Sequence, residues 1–149
     1  MLGINVAQVF QTWAACAGVT ADHFKHNWIM DEAYELHETG DIDFVEYARR
    51  QAQHFAIDMP ISDWQVGWKA IWTEPYAQVV SLLPKVAQRF ELYAFSNTNA
   101  VHAESFLNRY PDALAHFNTL FLSHEIGVRK PHPQAFRYVC DLIDIQPQE

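Results

Sequence analysis

From Leu92 onward the chain twice runs a short apolar segment into small polar residues and then into helix formers, in LYAFSNTNAVH and again in the segment that ends SHEIGVRKPHPQAF. An apolar run of this length bounded by polar residues reads as a buried strand, and strands that alternate with helical patterns form an open parallel sheet with crossover helices. The pattern predicts strands at Leu92 to Phe95 and Leu120 to Leu122, and helices from about Ala100 to Arg109 and Pro133 to Ile143. Pro75 suits the first turn of an earlier helix through Val79, Val80 and Leu83, which Pro84 should kink or end. The fold class is therefore α/β, with parallel strands from about residue 73 to 149.

Residues 5–72 read differently, as helix after helix with no strand evident before about residue 90. Val6, Val9, Phe10, Trp13 and Ala17 fall on one helical face. A second helix is expected from Thr20 to Glu38, stopped by Gly40. Asp43 with Glu46 three residues on has the form of a capping box opening a helix to about Phe55. Ser62 is the expected cap of a further helix that places Trp64, Trp68, Ile71 and Trp72 on one face.

Composition narrows the function classes. Half of the 149 residues are hydrophobic and five are Trp, enough for a packed core. A net charge of -8 excludes a general nucleic-acid surface, which needs clustered Lys and Arg. Asn5, Gln8, Gln11 and Thr12 interrupt the N-terminal apolar stretch, and it lacks a basic leader, so neither a membrane span nor a signal peptide is expected. Cys16 and Cys140, the only cysteines, lie far apart in helical segments and suggest a reducing cytoplasm. Small metabolites remain as ligands.

In open α/β sheets ligands collect beyond the carboxyl ends of the strands, where helix N-termini present free N–H groups. The first strand delivers Ser96 and Asn97 to that edge, and these residues serve either as helix caps or as donors to an anion; the local sequence supports both. Lys130 sits in the loop after the second strand, directly before Pro131, and is suited to neutralising charge in phosphoryl transfer.

At this point the sequence resembles the haloacid dehalogenase-like hydrolases. LYAFSNTN is similar to their second motif and GVRKPHPQAF to their third; the segment MDEAYELHETGDIDFVEY resembles the small helical cap of the phosphatase branch, in particular bacterial glucose-1-phosphate phosphatases. The resemblance implies a Rossmann-like core with a helical cap over residues 5–72, and hydrolysis of a small phosphorylated metabolite through an aspartyl-phosphate with magnesium. It further implies that Ser96 and Lys130 hold the transferring phosphoryl group, that Asn97 supports it, and that Lys130 also pairs with the nucleophilic carboxylate. Thr98, Asn99 and His37 are then candidate substrate contacts.

The family's first motif, Asp-x-Asp after an apolar strand, and its fourth, acidic motif have no counterpart in this sequence. Asp41 to Asp43 spell the first motif but follow ELHETG, which is no buried strand, and lead into a helix as a cap. Asp141 and Asp144 are expected to be solvated, on a helix whose apolar face is Phe136, Val139, Cys140 and Ile143. His23 and His26, three apart, lack a further metal ligand nearby; His37 reads as a surface residue; His102, His116, His124 and His132 show no Ser-His-Asp order. The expectation is a partial phosphatase, with little or no activity and magnesium not tightly held. The alternative is a non-catalytic phosphate-binding or interaction module that self-associates or meets a partner chain through exposed sheet edges.

Overall fold

In the computed structural model the chain is described over residues 1–146; residues 147–149, the end of the expected α/β half, lie outside the described residues. The helical part comprises α1 (Val6–Ala17), α2 (Ala21–Asn27), α3 (Glu32–Thr39), α4 (Phe44–Phe55) and α5 (Ile61–Lys69). It is closed at its base by a two-residue antiparallel ribbon of β1 (Gly3–Ile4) and β2 (Trp72–Thr73), with Ile4 opposite Trp72. This ribbon corrects the expectation of no early strand. Its strands are too short to carry a period, and their partners lie nearly the whole helical unit apart in sequence.

Two other boundaries differ from expectation. The helix expected over Thr20 to Glu38 is two helices, because Trp28 is extended (φ -72°, ψ 131°) and Asp31 starts a new helix by accepting from the Tyr34 N–H. The Trp28 ring is held away from a continuous helix by Phe10 and Tyr34, at centroid distances of 6.0 and 5.5 Å. Ser62 is not a cap: the Pro60 carbonyl accepts from Asp63 and Trp64 N–H, which moves the start of α5 to Ile61. The capping box at Asp43 forms as the spacing requires, its side chain accepting from Glu46 N–H at 2.8 Å.

Trp13 organises the helical core. Its ring stacks on Trp68 (5.6 Å, 2°), meets Trp64 edge-on (4.9 Å), and donates its indole N–H to the Trp64 carbonyl at 2.8 Å. Aromatic pairs in these geometries add about 0.5–1.5 kcal/mol each beyond area burial. The approach is close because residue 67, facing the Trp13 ring from α5, is glycine.

The α/β part holds α6 (Ala77–Val80), α7 (Leu83–Ala87), β3 (Tyr93–Ser96), α8 (Ala100–Arg109), α9 (Pro111–Leu114), β4 (Thr119–Leu122), α10 (Ser123–Ile126) and α11 (Pro133–Leu142). The one helix expected after Pro75 is two short ones, the second beginning around Pro84, which lacks the N–H needed to continue the first. Strands β3 and β4 pair in parallel with Phe95 opposite Phe121 and Ser96 opposite Leu122, so both end at the same level. Helix α8 crosses over between them and packs Phe106 and Tyr110 with Leu122. The expected apolar face of α11 is less covered: Ala135 is buried, whereas Phe136 is 47% exposed and meets Phe95 edge-on.

Gly67→Ala separates two effects of opposite sign. Alanine favours a helix over glycine by about 1 kcal/mol, whereas a Cβ here would run into the Trp13 indole. Overpacking costs about 1–3 kcal/mol. The expected outcome is a net loss of stability in urea titration, with reduced burial of tryptophan in the fluorescence spectrum.

Candidate functional site

The chain ends of β3 and β4 are tied by side chains of residues that follow them. Asn97 donates from Nδ2 to the Lys130 carbonyl at 2.8 Å and accepts at Oδ1 from the Lys130 N–H at 2.9 Å. Ser123, fully buried at the end of β4, accepts from the Thr98 N–H and donates to the Thr98 carbonyl, both at 2.8 Å. The Lys130 ammonium donates to the Phe95 carbonyl and lies 4.4 Å from the centre of the Phe95 ring. Ser96, Asn97 and Lys130 are thus brought together at the carboxyl edge of the sheet, each only partly buried. The peptide bond between Lys130 and Pro131 is cis.

Burial holds the Lys130 amine below the usual lysine range, opposed in part by the field of Glu38. An anion bound beside the ammonium would act in the opposite sense. The Ser96 hydroxyl makes only a long contact, 3.2 Å to the Asn97 carbonyl, which leaves it open to rotate toward a ligand. A cavity of about 520 Å³ adjoins this edge, lined by Ser96, Asn97 and Thr98 from the sheet and by Trp28, Tyr34 and Glu38 from the helical part.

His37 and Asn99 are placed elsewhere. The side chain of Asn99 caps α8 by accepting from the His102 N–H at 3.0 Å, and the residue is 1% exposed. His37 is not a surface residue: it is 2% exposed, stacked on Tyr47 at 4.7 Å, with Nδ1 3.3 Å from the Ile42 carbonyl. Its placement depends on α4 folding back over α3, which no local pattern signals. Thr98 borders the cavity but is buried, and its hydroxyl has no hydrogen-bond partner in the structure. His23, one of the spaced pair, is bonded through Nε2 to the Phe55 carbonyl, while His26 is exposed. Asp41, Asp141 and Asp144 are exposed, and Asp43 is a cap.

Sequence reasoning missed Ser123, Glu38 and Arg129. Ser123 carries the same signal as Ser96, a small polar residue closing an apolar run. Glu38 and Arg129 carry none, because they pair across 91 residues.

The donor set does not suit magnesium, which takes several oxygen ligands including carboxylates. The carboxylate at the cavity is Glu38, and its two oxygens are occupied by Arg129 and the Tyr34 hydroxyl. Among the described residues no group of three or more His, Cys, Asp or Glu is placed to hold a metal ion.

No protein-family model matches the sequence. Solved structures do match the fold. A HAD family enzyme from Bacteroides thetaiotaomicron, in complex with magnesium and inorganic phosphate, superimposes with a TM-score of 0.82 at 17% identity, covering 100% of this chain and 76% of that one. An aspartate-to-alanine mutant of that enzyme, with the same ligands, gives a TM-score of 0.84 at 17% identity over the same shares of the two chains. A predicted HAD-like family hydrolase from Porphyromonas gingivalis gives 0.81 at 14% identity, covering 99% and 73%. The fold is the haloacid dehalogenase-like α/β fold with a helical cap.

The histidine at the junction of the two parts makes the structure acid-sensitive. His102 is buried between Trp68 and Trp72; Nε2 lies 2.9 Å from the Trp68 carbonyl, which needs a donor, and Nδ1 faces the Asn99 amide at 3.2 Å. Both contacts suit the neutral ring, and burial pushes its pKa down to about 4. The unfolded chain binds this proton near pH 6.5 and the folded chain does not, so stability rises with pH between about 4 and 6.5 and is lost as pH falls. Across that window the proton linkage amounts to about 3 kcal/mol. Burial lowers His37 and His124 in the same direction. Thermal melts from pH 7 to 4.5 should show a falling midpoint, with a shallower fall in His102→Gln.

Proposed function

We propose that this chain carries the phosphate-holding half of a haloacid dehalogenase-like hydrolase acting on small phosphate monoesters such as sugar phosphates. The observation that carries the reading is the reciprocal bonding of Asn97 to both backbone groups of Lys130, which ties the lysine loop to the residue that follows Ser96 at the ends of two parallel strands. Phosphoryl transfer asks a protein chiefly to position the group and neutralise its charge. Lys130 supplies the charge, through the hydrogens not used on Phe95; Ser96 donates to a phosphoryl oxygen; Asn97 keeps the lysine loop in register with the strand end. The helical part borders the same cavity and limits the access of water. The solved structures that share the fold of this chain include two with magnesium and inorganic phosphate.

The residues present stop short of a complete reaction. A nucleophilic carboxylate at this site would have to approach Lys130 and Ser96, and Glu38 is held by Arg129 and Tyr34. The same pairing leaves Glu38 no free oxygen for magnesium. The chain of 149 residues is accordingly read as weakly active or inactive, and a strand bearing Asp-x-Asp together with a segment bearing further acids is read as the complement that makes it turn over. Among the described residues β3 pairs only with β4, which leaves one edge of β3 for such a strand.

A non-catalytic anion-binding or interaction module is the second reading. It is favoured by Tyr76, Val79, Leu82, Val86 and Phe90, apolar residues in and beside α6 and α7 that are all exposed. Among the described residues no helix is long and apolar enough to cross a membrane.

The two readings separate in one experiment. Calorimetric titration with inorganic phosphate should show weak binding by the chain, reduced about tenfold in Lys130→Ala, as expected for loss of one charge-assisted contact. A screen of small phosphate monoesters should show turnover only when the chain is extended by the two acidic segments, and Lys130→Ala should abolish most of it. Turnover by the 149-residue chain that survives loss of Lys130 overturns the site assignment. Phosphate binding without turnover in the extended protein favours the module.

A further inference from the structure

Beside the anion site lies a buried charge cluster that the reading above leaves unused. Glu38, in the last turn of α3, is 5% exposed. Its Oε2 accepts from Arg129 Nε at 2.7 Å and its Oε1 from the Tyr34 hydroxyl at 2.8 Å. Arg129 reaches a second acid one turn earlier, donating from a terminal nitrogen to Glu35 at 2.6 Å. Burial and the Glu38 charge both push the Tyr34 phenol up, so it stays a donor.

The other ion pairs among the described residues are of a different kind. Lys69 and Glu104 also approach to 2.7 Å, but their side chains are 35% and 61% exposed, and solvent screens such a pair. The Glu38 side chain is 6% exposed and that of Arg129 19%, so removing either partner leaves a charge in a poorly solvated place. The closeness of α3 to the loop is reinforced at Gly40, which ends α3 with φ +78° and whose missing Cβ leaves room for the His124 carbonyl of α10.

What distinguishes the pair is where it is attached. Arg129 immediately precedes Lys130, whose own N–H is donated to Asn97 Oδ1. The backbone at this point is therefore gripped from two sides, by α3 through Arg129 and by the end of β3 through Asn97. The Lys130 ammonium makes no ion pair of its own among the described residues; its position follows from that of its backbone and from the Phe95 carbonyl.

We propose that Glu38 and Arg129 are positioning residues that register Lys130 against helix α3, so that the anion site is assembled only while α3 is docked on the loop. The proposal rests on the reading of Lys130 as a phosphate ligand for its functional meaning, but not for its structural content. Glu38 sets the distance, Arg129 transmits it, and Tyr34 holds the second oxygen of Glu38 so that the carboxylate does not rotate away.

The test is amide hydrogen exchange on the full chain. Glu38→Gln keeps the shape and an acceptor for Tyr34 but removes the charge; Arg129→Ala removes the other partner. In both, the Lys130 amide should exchange faster by about tenfold or more, while the amides of Phe95, Phe121 and Trp13 keep their protection, because local opening is distinct from global unfolding. The double variant should be no worse than the worse single variant, as for two parts of one device. Glu35→Gln, at the exposed end, should leave the Lys130 amide near wild type. Should Glu38→Gln not fold, Arg129→Gln decides, since it keeps most of the side-chain length but removes the charge that pairs with Glu38. Unchanged exchange at Lys130, or equal acceleration at every amide, overturns the proposal. Affinity for inorganic phosphate should fall in parallel with the exchange result. Failure of the wild-type chain to bind phosphate removes the proposed function and leaves the exchange result to judge the clamp alone.

Discussion

The side-chain amide of Asn97 offers one acceptor and two donor hydrogens, and it uses them on both backbone groups of Lys130. A side chain that pairs with an N–H and a C=O of one residue fixes that residue in position and in rotation, much as a neighbouring strand would. Two parallel strands ending at the same level would otherwise release their loops independently. With this pair and the Ser123 contacts to Thr98, the two loops are tied to each other at the carboxyl edge of the sheet.

The helical part reaches the same point by a different route. Its core is built on Trp13, Trp64 and Trp68, whose rings fix the positions of α1 and α5. Trp68 then stacks on His102 of α8 at 4.7 Å and gives it its carbonyl, so the aromatic core of the helices continues into the first turn after β3. Helix α3 completes the enclosure, bringing Tyr34 and Glu38 to the cavity that Ser96 and Asn97 open into. The enclosure is therefore held at three polar points, the buried His102 and Glu38, whose loss leaves an unpaired group, and the partly buried Asn97.

These polar points differ in what they respond to. His102 answers to protons, since its two contacts suit a neutral ring; Glu38 and Arg129 answer to charge removal; Asn97 answers to neither and depends only on shape. A strand edge held by three such unlike contacts has several independent ways to lose its geometry, which is why local measurements at Lys130 say more than a single melting temperature.

The sequence alone was enough for the elements with a local cause. The run ending at Ser96 made β3, the helix formers from Ala100 made α8, although its cap fell on Asn99 and not on Ser96 or Asn97, and Asp43 with Glu46 made the start of α4, because strand period and caps act over a few residues. Ser96, Asn97 and Lys130 could be read as neighbours because parallel strands joined by a helical crossover end at one edge. The break between α2 and α3, the β1–β2 ribbon, the burial of His37 and the pairing of Glu38 with Arg129 were decided only by tertiary structure. Each depends on a partner far along the chain: Phe10 for Trp28, Trp72 for Ile4, Tyr47 on another helix for His37, and a residue 91 positions on for Glu38. A polar or aromatic side chain shows its chemistry in the sequence, but whether that chemistry is buried, paired or free is settled by what folds against it.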